Sequence, residues 1–361
     1  MISSPSDSTG TPIPSWVDTL ARAGHSAPSA DNSQPWRFAW IEGQLLVTFD
    51  ESRHAGGLGR HHPAVQMAMG AVIENMVQTA VATGQDIANW ELRYRSSDDG
   101  PYLIVPAPQQ PLPTNEPPEW ILNRHTNRGA LGRDRLPDEL APGLNALAEG
   151  SLSTRVYDDN RRVDELARLV QAASEIRFQT EEVHSWLSAS LRFTAAEVER
   201  GEGLDADTLV LPPGGKQLLR FVSDWRRMAM LNKLYAYKLF ALVEKMQFRK
   251  CGAVVVIAGG AEGASSWITA GRLMERAWLL LNRSGISVHP YYVVPDTFYR
   301  LKAGLVPSHL RVKAREITAA TRALLEMNDE TPFMVMRVGV ASRSPKLAKR
   351  LPLSAVVSKL G

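Results

Sequence analysis

One cysteine, Cys251, stands alone among 361 residues. A single thiol excludes an intrachain disulfide and a cysteine-rich zinc or iron–sulfur site. Cys251 opens the apolar run Cys251–Ala258 and therefore reads as a buried strand thiol, not a nucleophile. Long apolar stretches are also missing. None approaches the roughly 20 residues of a membrane span, and the Ser-, Pro- and Gly-rich stretch Met1–Pro14 has no apolar core resembling a signal peptide. The expectation is a cytoplasmic protein with no membrane partner. Charge of one sign is scarce: 41 Lys and Arg face 38 Asp and Glu, a balance of +3. Dispersed cations without interleaved aromatics form no nucleic-acid stripe, so no nucleic-acid partner is expected. His54, His61 and His62 lack the H-E-x-x-H spacing and a completing carboxylate, so no metal site is expected. Gly259-Gly260 and Gly263 follow a strand without the G-x-G-x-x-G spacing of a dinucleotide loop.

What the chain does have is a core-forming composition. It is 44% hydrophobic with nine Trp, enough for one large domain or two fused halves. A tail (1–15) precedes a helix near Trp16–Ala23. Strands Trp36–Ile41 and Gln44–Phe49 flank the turn Glu42-Gly43. A Gly- and His-rich loop, Arg53–His62, leads to a long helix from Pro63 to about Thr83, then to strands near Trp90–Arg95 and Tyr102–Pro106. The proline-rich stretch 107–118 reads as a linker between a first unit (16–106) and a second (119–361). The second unit begins with helix Glu119–Arg124 and continues with strand Thr154–Tyr157. A helical insertion follows at about 175–249, broken at Gly201–Gly203 and Gly214-Gly215. Then come strand Ala253–Ala258, helix Ser265–Arg283, strand His289–Val293, helix Val312–Met327 and strand Phe333–Val338.

The two long helices share a pattern. Gly70, Glu74 and Gly84 recur as Gly271, Glu275 and Gly285 at a constant offset, each helix ending at a Gly suited to the C′ position and followed by a strand. Ordinary helix grammar can produce such a match, but a duplication accounts for all three positions together.

Two polar clusters are candidates for a ligand site. The loop Ala27–Phe38 contains Pro28, Ser29, Asn32, Gln34 and Pro35 before the strand residues Trp36, Arg37 and Phe38. It can cradle a planar ligand with hydrogen-bonding edges, or be an ordinary capped turn. Arg124-His125-Thr126-Asn127-Arg128 places two guanidiniums around a hydroxyl, a phosphate grip or a solvated helix end. A third basic stretch, Lys346 to Pro352, includes Lys349 and Arg350 and by itself reads as a solvated tail.

Taken together these segments resemble the nitroreductase superfamily of FMN enzymes. Ala27–Trp36 is similar to its Pro-Ser-x-x-Asn-x-Gln-Pro-Trp loop, which lines the flavin. Arg124–Arg128 resembles its Arg-x-Ser/Thr-x-Arg/Lys phosphate motif, and Lys346–Pro352 its terminal basic pair. The resemblance implies an α+β nitroreductase fold of two pseudo-symmetric halves, each with a mixed or antiparallel sheet flanked by helices. It further implies FMN as cofactor and NAD(P)H as reductant. Pro28, Ser29, Asn32, Gln34, Arg124, His125, Thr126, Arg128, Tyr292, Val293, Lys349 and Arg350 are its cofactor-binding candidates. The flavin carries the chemistry, so no catalytic side chain is expected.

Each motif occurs once, in different halves, so a fused pseudo-dimer with one FMN per chain is expected. It resembles double-length actinobacterial nitroreductase-like proteins and the nitroreductase portion of adenylyltransferase fusions. A monomer suffices and further dimerisation stays open. The chain departs from the family at Pro290-Tyr291-Tyr292-Val293, where Pro-Ile-Glu-Gly is usual, and at Ala348, where a Lys is usual. The implied activity is reduction, or flavin-dependent oxidation, of a small organic substrate. The alternative is a protein that sequesters or stores FMN without turnover. Aromatic residues of the insertion, Trp186, Phe193, Phe221, Trp225, Tyr235 and Tyr237, are read as helix-packing core or as a lid.

Overall fold

The computed structural model describes residues 13–53, 58–93, 100–260 and 263–359; His54, most of the N-terminal tail and the last residues of the expected strand Trp90–Arg95 lie outside them. The chain runs through α1 (Ser15–His25), β1 (Trp36–Ile41), β2 (Gln44–Phe49), α2 (Pro63–Ala82), β3 (Glu91–Leu92) and β4 (Leu103–Pro106). Residues 107–118 carry neither helix nor strand. The chain continues with α3 (Glu119–Leu122), α4 (Leu140–Asn145), β5 (Ala148–Glu149), β6 (Leu152–Tyr157), α5 (Asn160–Arg177) and α6 (Glu181–Ser190). After these come β7 (Leu191–Arg192), α7 (Ala195–Glu199), β8 (Leu204–Asp205), α8 (Gly215–Val222), α9 (Trp225–Asn232) and α10 (Ala236–Phe248). The last elements are β9 (Ala253–Gly259), α11 (Ala264–Arg283), β10 (Ser287–Tyr291), α12 (Val293–Lys302), α13 (Arg311–Leu324), β11 (Thr331–Gly339) and β12 (Val357–Lys359).

Two five-stranded sheets result, ordered β12-β1-β2-β4-β3 and β10-β11-β9-β6-β5. Without their outermost strands β12 and β5, they read β1-β2-β4-β3 and β6-β9-β11-β10, antiparallel at every pairing. In each, a 20-residue helix joins the second strand to the third. The first connection differs: β1 and β2 are joined by the tight turn at Glu42-Gly43, both with positive φ as a two-residue hairpin requires. Residues 158–252, helices α5 to α10 among them, lie between β6 and β9. The last strand crosses back. β12 pairs in parallel with β1, from Phe38 opposite Val357 to Trp40 opposite Lys359, so the end of the block 119–361 completes the first sheet. That pairing gives an otherwise bare edge its hydrogen bonds.

Helices α2 and α11 form the centre. Seventeen of the twenty α2 residues are buried, as expected of a helix apolar on all sides. Its core reaches Trp36, Phe38, Leu45 and Val47 of the first sheet and Val255, Ile257, Met334 and Met336 of the second. The second sheet is covered on both faces. Val255 and Ile257 of β9 face the central helices, while Val254 and Val256 join a second core with α5, α12 and α13, which is why β9 reads as a continuous apolar run. Cys251 is buried beside it, its thiol pushed up to about 11 by desolvation.

Both central helices end alike. Gln85 N–H donates to Ala80 O and Ile286 N–H to Leu281 O, each at 2.9 Å, around Gly84 and Gly285 at φ +72° and +74°. The expected strand His289–Val293 stops two residues early, because Val293 begins α12. Pro295, in the first turn of that helix, lacks only an N–H that the helix does not use.

Candidate functional site

A cavity of about 240 Å³ opens between the two parts of the chain. The loop 28–31 and Met67 of α2 form one side; Thr126, Arg128, Met274 and Trp278 another. Tyr292, Val293 and Asp296, at the start of α12, also line it, as do Arg177, Trp186 and Leu187 of the insertion. Six of the residues proposed from sequence therefore meet here: Pro28, Ser29, Thr126, Arg128, Tyr292 and Val293.

Arg124 is buried nearby, Arg350 is half-buried, and the two share an acceptor. Arg124 Nη2 donates to Ser26 O at 3.0 Å, and Arg350 Nη2 to the same oxygen at 3.2 Å. Arg350 also donates to His25 O at 2.6 Å and Ala27 O at 2.9 Å, so it fixes the strand of backbone that leads into the loop. One carboxylate answers the two guanidiniums: Glu275 Oε1 lies 3.1 Å from Arg124 Nε. Burial pushes Glu275 up to about 7 despite both arginines, and burial with the Arg124 charge brings Arg350 down to about 9. Arg124 Nη1 is buried without a hydrogen-bond partner and the guanidinium lies 4.5 Å from the Trp278 ring.

Arg128 is held by its backbone. Gln247 Nε2 donates to Arg128 O at 2.7 Å, and fully buried Arg337 donates to Arg128 O and Gly129 O at 3.0 and 2.8 Å. Its side chain donates to Thr208 Oγ1 at 3.3 Å. Desolvation lowers Arg128 and raises Asp31, each partly offset by the other's charge. Asp296 is pushed up to about 6 by burial, and the Tyr292 hydroxyl has no hydrogen-bond partner.

Four of the proposed residues have other partners. Asn32 Nδ2 donates to Lys349 O at 2.8 Å, with Gly201 O and Gly203 O at 3.4 and 3.3 Å. Gln34 is fully buried; its Nε2 donates to Gly201 O at 2.8 Å and its Oε1 accepts from Leu351 N–H at 3.1 Å. These amides clip the insertion and the C-terminal segment to the loop. Gly201, at φ +76°, permits this: a Cβ would stand 2.3 Å from Arg350 O. Lys349 pairs with Glu199 at the surface, which corrects its placement at a phosphate. His125 is turned away, with Nδ1 2.7 Å from Asn123 O, beside a separate surface hollow near Trp120 and Gly285.

The loop's shape owes more to backbone strain than to its prolines. Asp31, Asn32 and Gln34 all lie at positive φ (48°, 59°, 50°), the left-handed region disfavoured for residues with a Cβ. Sequence reasoning missed Asp31, Arg177, Trp278 and Asp296. Trp278 carried a signal, since it follows Glu275 by three positions on one helix face; Asp296 sits in an apolar run and carried none. Among the insertion aromatics, Trp186 lines the cavity and packs 5.9 Å from His62, whereas Phe221 and Tyr235 are exposed. Among the described residues, no cluster of His, Cys, Asp or Glu could hold a metal ion.

No family model matches the chain. An uncharacterised protein of Mycobacterium tuberculosis is 23% identical over 289 residues, covering 76% of this chain; the match spans 38% of that relative's length. The chain is also similar to solved structures. One is an FMN-bound nitroreductase from Bacteroides fragilis (10% identity, TM-score 0.37, 67% of this chain and 97% of that one). Another is an FMN-dependent nitroreductase from Mycobacterium smegmatis in complex with NADPH (16% identity, TM-score 0.35, 66% and 94%).

Proposed function

We propose that the chain is an FMN-dependent oxidoreductase of the nitroreductase type, with one FMN per chain in the cavity between two fused halves. The observation that carries this reading is the meeting of Pro28 and Ser29 with Thr126 and Arg128, from opposite sides of the proline-rich stretch, at one cavity backed by Arg124 and Arg350. The donor set suits the ligand. Arg128, the unpartnered Arg124 Nη1 and the unpartnered Tyr292 hydroxyl offer donors to an anionic group and a polar ring edge. Trp278, Met274 and Met67 supply apolar walls for a planar ring.

On this reading Thr126, Arg128 and Arg124 hold the phosphate, while Arg350 positions the loop. Ser29, Tyr292 and the Val293 N–H face the ring system. Bound FMN supplies two-electron chemistry between NAD(P)H and a small organic substrate, in either direction. The chain's own residues bind it, orient it and exclude water, with Trp186 and Leu187 of the insertion as cover. The site is single because the loop motif and the arginine motif each occur once.

The insertion also favours a second reading, FMN sequestration without turnover. Asp31 accepts from Ser190 Oγ at 3.0 Å and Arg128 donates to Thr208, so two cavity residues tie the cover down, and Gln34 of the adjoining loop adds a bond to Gly201 O. Titration of the purified chain with FMN, followed by NADH and NADPH oxidation with a quinone or a nitroarene, separates these readings. Saturable binding with acceptor-dependent oxidation well above that of free FMN supports the enzyme. Binding without such oxidation supports sequestration. No binding overturns both.

A further inference from the structure

The helices α8, α9 and α10 are poorly covered by the rest of the chain. Between residues 210 and 250 only Val222, Met228, Ala241 and Phe248 are buried. Eleven of the eighteen large hydrophobic residues that are exposed among the described residues fall between Val210 and Met246. On α10 the outward positions Leu239, Leu242, Val243 and Met246 follow the i, i+3, i+4, i+7 spacing of a single stripe, 39–61% exposed, while Ala241 and Phe248 face inward. Leu234, in the turn that precedes α10, is 77% exposed. A continuous apolar stripe on the wet face of a helix marks a surface that something else covers.

Charge selects the occupant. The same 41 residues hold nine Lys and Arg against two acids, Asp224 and Glu244, a net +7 in a chain whose total is +3. Glu244 is half-buried and paired with Arg177, so the exposed cap residue Asp224 is the one acid of this stretch set against the cations of the outer face. Lys216 and Arg249 have acidic partners in Asp207 and Asp164. Arg220, Arg226, Lys233, Lys238 and Lys250 are exposed. A second copy docked across a two-fold axis would set two such cationic faces against each other. Protruding apolar side chains beside exposed cations match an interface that is oily below and anionic above.

We propose that α8–α10 form a peripheral docking surface for an anionic lipid bilayer, with the α10 stripe entering the headgroup–acyl boundary and the flanking cations meeting lipid phosphates. Among the described residues no helix is long and apolar enough to cross a membrane. The arrangement is one of lying on a surface.

Flotation of the full chain with phosphatidylcholine vesicles, alone or with 30% phosphatidylglycerol as an assay condition of roughly the charge density that attracts basic segments, tests this. Binding to the anionic vesicles only is expected, falling steeply as salt screens the cations. Lys233→Glu with Lys238→Glu should weaken binding on the order of fivefold or more per cation removed. Leu239→Ser with Leu242→Ser should abolish it, with an unchanged circular dichroism spectrum showing that the variant is folded. Equal binding to neutral vesicles, or none to either, overturns the proposal. So does a dimer in sedimentation that the leucine variant dissociates, or an acidic protein partner captured by the same face in place of vesicles.

Discussion

Gly70 and Gly271 stand against each other where the two central helices cross: a Cβ on Gly70 would lie 2.1 Å from Ile268 O, and one on Gly271 2.1 Å from Met67 O. The backbones of α2 and α11 touch there without side chains between them, and the cavity lies alongside, lined by Met67 and Met274 one turn away. Two residues separated by the proline-rich stretch thus set the distance between the parts of the chain.

Gly271→Ala should force the helices apart and cost about 3 kcal/mol or more, since backbone cannot yield as a side-chain end can. Gly84→Ala, with open space around its Cβ, should cost only the strain of its left-handed backbone, about 1 kcal/mol. Urea denaturation compares the two; equal losses would show that the crossing tolerates a methyl group.

His25 gives a test on the acid side. Trp36 Nε1–H donates to His25 Nδ1 at 3.0 Å, which leaves Nε2–H to donate to Leu351 O at 2.9 Å. Burial lowers this imidazole to about 4 from 6.5, so the folded state binds fewer protons than the unfolded one between those values. Its contribution, on the order of 3 kcal/mol, is present above pH 6.5 and is lost as pH falls toward 4. His25→Gln should be less stable at pH 7 and show a shallower loss between pH 6.5 and 4.

Glu275 has the opposite sign. Burial raises it to about 7 from 4.5, so the folded state holds the extra proton and stability declines as pH rises from 4.5 toward 7. Glu275→Gln should therefore gain relative to the wild type over that interval. Melting temperatures at pH 5 and pH 8 measure this; a difference between the proteins that does not change with pH contradicts it.

The clip formed by Asn32 and Gln34 predicts a mobility change. Gln34→Leu removes the bonds to Gly201 O and Leu351 N–H and leaves buried groups unpaired, at about 1–3 kcal/mol. Limited proteolysis in the insertion should accelerate, because local opening becomes easier. An unchanged cleavage rate would mean that the insertion is held by its packing alone.

Much of this was legible in the sequence. Gly84 and Gly285 announced their caps, the Glu42-Gly43 turn its hairpin, and the runs around Val255 and Met334 their buried strands. The halves of the cavity were visible as two motifs, because prolines, arginines and hydroxyls cluster locally. What stayed hidden depends on distant partners. Asn32 and Gln34 face Gly201, Lys349 and Leu351, and no local pattern reveals that their amides bond protein. Lys349 and Arg350 are neighbours, yet one pairs with Glu199 at the surface and the other donates to His25 O and Ala27 O. Helix α12 was masked by the apolar run that β10 begins. β12, three residues long, reads as a strand only beside β1.

Arg128→Met should weaken FMN binding by about 10- to 100-fold, the loss of one charge-assisted hydrogen-bond set, while Lys349→Met should leave affinity unchanged. Fluorescence titration reads both. An effect at Lys349 with none at Arg128 would reverse the assignment of the anion site.

The central claim, a single flavin between two fused halves, is met most directly by the absorbance spectrum of flavin released from the heat-denatured chain after incubation with excess FMN and gel filtration. About one FMN per chain is predicted. Two per chain would contradict the single site, and none would overturn FMN as the ligand of the cavity.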